Sequence, residues 1–91
     1  MMAKSTDFSI GQVVTCTDPE RFISSVAKYL TNREGVVISV APADLSREER
    51  RAYCGWVNRV HVEWQKRNGR GKTERMWMDP SDIAPKEAPH G

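Results

Sequence analysis

Residues 55–83 read GWVNRVHVEWQKRNGRGKTERMWMDPSDI, and this stretch decides the fold. Apolar and polar residues alternate over 60–64, which is the period of a β-strand with one buried face. The same alternation returns over 76–78. The connection between them contains Gly69 and Gly71, and glycine tolerates the positive φ that tight turns need. The stretch therefore predicts a β-hairpin with apolar residues on one face and polar residues on the other.

The hairpin is followed by an abrupt stop. Pro80 has no backbone N–H and cannot continue a central strand, so a 3-10 turn is expected near 80–83, ending on a buried Ile83. Residues 85–91 contain two further prolines and are expected to form a disordered tail.

The preceding part of the chain predicts two more strands and a helix. Residues 12–17 and 35–41 are short, β-branched runs typical of strands. Between them, an amphipathic helix is expected at roughly 18–32, with Pro19 in its first turn and apolar residues at helical spacing. Ser46 and Glu49 fit a capping box, which predicts a turn or two of helix in 44–53. Residues 1–7 are polar and expected to be disordered.

The order strand, helix, strand, exposed crossover, hairpin, short turn, apolar residue resembles an SH3-like β-barrel. The resemblance implies a mainly β fold of about five strands in a single domain over 8–84, with a helix inserted in the first connection. Barrels of this type bind nucleic acids or peptides, or serve in assemblies, so the fold alone does not select a function. The resemblance is carried by Gly11–Val14, Gly35–Ile38, Gly55–Val57, Val60–Trp64 and Met76–Ile83.

Basic charge is concentrated in the hairpin connection. Positions 66–75 hold five basic residues and one acidic residue, whereas the whole chain has a net charge of +2. Such a protrusion favours a contact with phosphate, although lysine and arginine also keep exposed hairpin tips solvated. Fewer than about five phosphate contacts predict weak, salt-sensitive binding of RNA or DNA. The candidate nucleic-acid-binding residues are Arg59, Lys66, Arg67, Arg70, Lys72, Arg75 and Trp77.

The alternative function is a protein-interaction or regulatory module that uses an exposed aromatic surface around Trp77 and the inserted helix. If the methionines of the second hairpin strand face the core, Trp77 faces outward, where it suits an aromatic surface for a peptide or a nucleobase. The opposite expectation is that the inserted helix covers Trp77. The candidate partner-binding residues are Tyr53, His61 and Trp77, while Trp64 and Trp56 are expected to be buried in the core and at the barrel rim.

Catalysis, metal binding and cofactor binding are not expected. Cys16 and Cys54 are the two cysteines, and they lack a Cys-x-x-Cys or Cys/His spacing that would hold zinc. Both are expected to be buried free thiols. Without an apolar leader or a run of membrane-spanning length, a cytoplasmic, non-membrane protein is expected.

Overall fold

Five antiparallel strands form one sheet in the computed structural model, which describes residues 4–66 and 71–86. Their order across the sheet is β4-β3-β2-β1-β5, so β4 and β5 are its two edges. The predicted mainly β class is confirmed, but the pairing of the described strands leaves the sheet open and does not close a barrel. The strands are β1 (Val13–Cys16), β2 (Glu34–Ala41), β3 (Arg59–Trp64), β4 (Glu74–Met78) and β5 (Ile83–Pro85).

The β3–β4 hairpin has the two faces that its alternation predicts. Val60, Val62 and Trp64 are fully buried, and the side of the sheet that carries them is called the inner face below. On β4, Met78 is buried and Met76 packs partly buried against the same core. Arg59, His61 and Glu63 on β3 and Arg75 and Trp77 on β4 lie on the opposite side, called the outer face.

The predicted helix at 18–32 is wrong in its extent. The chain instead forms a 3-10 helix at Pro19–Arg21 and a seven-residue helix, α1 (Ser24–Leu30). Phe22 and Ile23 between them are extended, with ψ of 164° and 153°. This break allows Phe22 to pack against the core and leaves Ile23 73% exposed, although helical spacing would bury both.

Helix α1 completes the core over the inner face. Leu30 is buried there, and Val26 and Tyr29 are partly buried against the same cluster. None of the described helices is long and apolar enough to cross a membrane. The other buried members of the core come from the N-terminal segment and from β1, β2 and β5, and they are Phe8, Val14, Val37 and Ile83.

The N-terminal segment differs from the predicted disorder of residues 1–7 wherever the structure describes it. Ser5–Asp7 form a 3-10 helix, and Ser5 is fully buried. Its hydroxyl donates to the carbonyl oxygen of Ala41 at 2.7 Å, and its backbone N–H donates to Asn58 Oδ1 at 3.0 Å. These bonds hold the segment against the ends of β2 and β3.

The C-terminal turn is confirmed. Asp79 caps a 3-10 helix at Pro80–Asp82 by accepting a hydrogen bond from the backbone N–H of Ser81, and Ile83 is buried beyond it. Pro85 pairs with Val14 as the last residue of β5, inside the span predicted as a disordered tail. Residues 87–91 of that tail lie outside the described chain.

Gly35 and Trp64 lie directly opposite each other on β2 and β3. A Cβ atom at position 35 would lie 2.8 Å from Trp64 Cε3 and inside the contact distance of Val62 Cγ1. Gly35 does not have a positive φ, so other residues could adopt its backbone conformation. Glycine is required here only because there is no space for a Cβ atom. The fully buried indole occupies the place where a side chain would stand.

We expect Gly35→Ala to lower the free energy of unfolding by about 2–3 kcal/mol, because it overpacks a filled core. Urea denaturation measures the loss. Adding Val62→Ala removes one of the two clashing groups, so the double variant should be more stable than the sum of the single effects predicts. Strictly additive effects would show that the clash is not the cause.

Candidate binding surface

The three predicted partner-binding residues meet on the outer face. His61 and Trp77 are cross-strand partners on β3 and β4, and their rings stack with centroids 4.2 Å apart and planes 11° from parallel. Tyr53 contacts the indole edge-on, at 6.5 Å and 84°. Aromatic pairs in both of these geometries are favourable beyond the area they bury. The structure therefore assembles Tyr53, His61 and Trp77 into one preformed cluster, called the aromatic cluster below.

Tyr53 reaches this cluster from the connection between β2 and β3. The predicted capping box is confirmed: the Ser46 hydroxyl accepts from the N–H of Glu49, and the Glu49 carboxylate accepts from the N–H of Ser46. A 3-10 helix follows at Glu49–Tyr53 and ends at Cys54, whose φ of 55° turns the chain back toward β3. The cap thus helps to set where Tyr53 lies.

The expectation that the inserted helix covers Trp77 is wrong. The α1 side chains pack against the core of the inner face, and the ring contacts of Trp77 come from Tyr53 and His61. Trp77 remains half-buried between these two rings.

Both arginines of the hairpin strands have carboxylate partners. Arg75 Nε lies 2.9 Å from Glu63 Oε2, directly across β3 and β4, and Arg59 Nη1 lies 3.7 Å from Asp79 Oδ2. Hydrogen bonds from Ser81, followed by the charge of Arg59, lower the pKa of Asp79 and keep it ionised. The strand part of the outer face is therefore close to electrically balanced.

The remaining basic residues lie in the connection at 65–73, called the tip. Lys66 and Lys72 are exposed, and Arg67 and Arg70 lie outside the described residues. Helix α1 and the residues after it hold the base of the tip on both sides. Tyr29 Oη donates to the carbonyl oxygen of Lys72 at 3.2 Å, and Arg33 Nη1 donates to that of Gln65 at 2.6 Å.

Trp56 is a further candidate binding residue, and the sequence pattern did not indicate it. It was expected at a buried rim, but 42% of it is exposed, and the guanidinium of Arg59 lies 5.6 Å from its ring centroid. Cys54 and Gly55, which precede it, both adopt positive φ. Arg59 is on the same face of β3 as His61, so its contact places Trp56 beside that face.

The cysteines provide no nucleophile that the geometry activates. Burial raises the pKa of the Cys16 thiol and favours its neutral form. Cys54 is exposed, which corrects the expectation of burial, because its left-handed turn lies at the surface. Among the described residues, no group of three or more His, Cys, Asp or Glu side chains could hold a metal ion.

His61 is held in its neutral form. Burial against its neighbours lowers the pKa of His61, and the positive charge of Arg75 lowers it further. Because the folded pKa is the lower one, folding stability from this residue is present at neutral pH and is lost as pH falls below about 6.5, through the folded value.

We expect an NMR titration to give His61 a pKa below the ordinary histidine value. Trp77→Ala exposes the imidazole to water and Arg75→Gln removes the nearby charge, so each should raise that pKa. Arg21→Gln removes a charge elsewhere on the surface and should leave it unchanged. If neither hairpin variant raised the pKa, the stacked contact would not be what holds His61 neutral.

Comparison with known proteins adds no assignment to this geometry. The chain matches no protein-family model, no curated protein and no solved structure.

Proposed function

We propose that this chain is a small, non-enzymatic binding module that makes a weak contact with single-stranded RNA or DNA along the outer face of the β3–β4 hairpin. The observation that carries the proposal is the exposed ring of Trp56 with Arg59 beside it, just before the strand that leads to the basic tip. An exposed indole stacks on any base, and a neighbouring guanidinium binds phosphate.

The spacing of these groups suits an extended single strand of nucleic acid. From Arg59 to Lys66, the chain covers about 23 Å at 3.3 Å per residue. A single strand that stacks a base on Trp56 can follow β3 past the aromatic cluster and bring its phosphates to Lys66 and Lys72. The bonds from Tyr29 and Arg33 support this path, because they hold the base of the tip in place.

The charge arrangement makes the proposed contact weak. Glu63 and Asp79 partly neutralise Arg75 and Arg59, so the tip supplies most of the free positive charge. A handful of phosphate contacts gives an affinity that decreases steeply with salt. The module would act as an auxiliary contact and would not hold nucleic acid tightly alone.

A protein-interaction module is the second candidate, and the same ion pairs favour it. A face on which charges are already balanced resembles a surface for a peptide more than a surface for a polyanion. Tyr53, His61 and Trp77 would supply the aromatic contacts, and the exposed Ile23 next to α1 would supply a separate apolar contact at the inserted helix.

An SH3-like connectivity and a cytoplasmic location belong to the same proposal. The strand order, with β5 returning after a 3-10 helix to pair with β1, supports the connectivity. The two free cysteines are compatible with a reducing compartment.

Fluorescence anisotropy with a short labelled single strand tests nucleic-acid binding. We expect Trp56→Ala to weaken binding roughly 5- to 150-fold, the range for losing one base–aromatic stack. Lys66→Gln with Lys72→Gln should lower the slope of log affinity against log salt by about 1.4, since each lost contact with a single strand removes about 0.7.

Two matched controls separate these effects from general ones. Ile23→Ala removes another exposed apolar side chain, and Lys28→Gln removes a charge from α1; neither should change affinity or slope. If Trp56→Ala and the lysine variants left the affinity and its salt dependence unchanged, the nucleic-acid proposal would be rejected. A salt-tolerant protein partner lost with Trp77→Ala in a folded chain would support the second candidate instead.

A further inference from the structure

The two edges of the sheet differ in how open they are to another strand. β5 has three residues and ends on Pro85, and the next residue, Lys86, forms an ion pair with Glu34. Short length, proline and lysine are the usual protection of an edge. β4 has five residues, contains neither proline nor lysine, and has no strand on its far side in the described part of the chain.

The backbone groups at the β4 edge follow from the hydrogen bonds of β3. The N–H of Gln65, just after β3, donates to Glu34, at the start of β2. Since bonding direction alternates along an antiparallel strand, Glu63 also bonds toward β2, and Val62 and Trp64 bond toward β4. Their partners on β4 are Met76 and Glu74. The N–H and C=O groups of Arg75 and Trp77 therefore face the free edge.

The sequence of β4 is complementary to itself when two copies run antiparallel. With Met76 opposite Met76 of a second copy, Arg75 lies opposite Trp77 of that copy, and Trp77 lies opposite its Arg75. The backbone groups that face the edge belong to these two residues, so this register forms four hydrogen bonds. It also places a guanidinium against an indole twice, an attractive cation–π pair.

This register continues contacts that already exist within each hairpin. On the outer face, Glu63 pairs with Arg75, and His61 stacks on Trp77. Across the two copies, one row of outer-face side chains runs from Glu63 and Arg75 to Trp77 and His61 of the second copy. The two-fold axis repeats this row in the opposite direction. On the inner face, each Met76 side chain gains the other as an apolar neighbour.

We infer that two copies of this chain pair through β4 to form a dimer with a continuous ten-stranded sheet. Five residues a side make a small interface, so the dimer is weak and depends on protein concentration. Edge pairing leaves the outer face open, so it is independent of the proposed nucleic-acid contact.

Sedimentation velocity over a concentration series tests the dimer with a charge-swapped variant. Glu63→Arg with Arg75→Glu retains an ion pair inside each hairpin but places a carboxylate against the indole of the second copy. We expect the dimer dissociation constant to rise roughly 5- to 30-fold, the loss of two cation–π pairs. A wild-type chain that stayed monomeric to about 1 mM, or a swapped variant that dimerised as tightly as wild type, would overturn the inference.

Disulfide trapping tests the register. With Cys16→Ser and Cys54→Ser as background, Met76→Cys places two thiols opposite each other on the axis, at about 4.5 Å between Cα atoms, within the range of a disulfide. Glu74→Cys is the matched control, because residue 74 faces residue 78 of the second copy. We expect oxidation to cross-link the first variant and not the second. Equal cross-linking of both, or none of either in a folded chain, would contradict this register.

Discussion

The indole of Trp64 lies where Gly35 has no side chain, and most of the structure depends on that contact. The two residues are paired across β2 and β3, and a Cβ at position 35 would meet both the indole and Val62. The bare backbone lets a fully buried tryptophan sit in the centre of a small sheet without separating its strands. The contact permits one register only. A slip by one residue would place Val36 opposite the indole and would turn every side chain of β3 to the other face.

The binding surface is a consequence of this register. Once Trp64 is fixed inward, His61 and Glu63 must point outward, and the pairing of β3 with β4 sets Trp77 beside His61 and Arg75 beside Glu63. A bulge in β2 between Val37 and Ser39 shifts the register, so that Ser39 pairs with His61 and Val40 with Val60, and a bulge of this kind increases the local twist. The stacked rings and the ion pair therefore need no stabilisation of their own to be positioned, because the core already orients the strands that carry them.

Local rules predicted the parts of the fold that local chemistry determines. The two faces of the hairpin follow from its alternation, the Ser46–Glu49 box from its spacing, and the stop at Pro80 from the missing N–H. The errors lie where distant contacts decide. Arg21 bonds to Asp82 at 2.6 Å and Phe22 packs in the core, which favours an extended break where the sequence pattern indicates one helix. The exposure of Trp56 could not be predicted, because it follows a left-handed residue at Cys54 that no glycine marks, and the contact of Tyr53 with Trp77 could not be predicted because it joins residues distant in sequence.

The charges of the hairpin are divided in a way that bears on what can cover it. Along the strands, Arg75 has Glu63, Arg59 has Asp79, and a lowered pKa keeps His61 neutral. The burial of unpaired charge is the main electrostatic cost of forming an interface. A partner that covers this region buries little of it. Lys66 and Lys72 have no carboxylate partner among the described residues and lie exposed at the tip, beyond the strand. The tip can therefore attract a polyanion through charge, while β4 and the aromatic cluster stay suited to contacts that depend on shape, stacking and backbone hydrogen bonds.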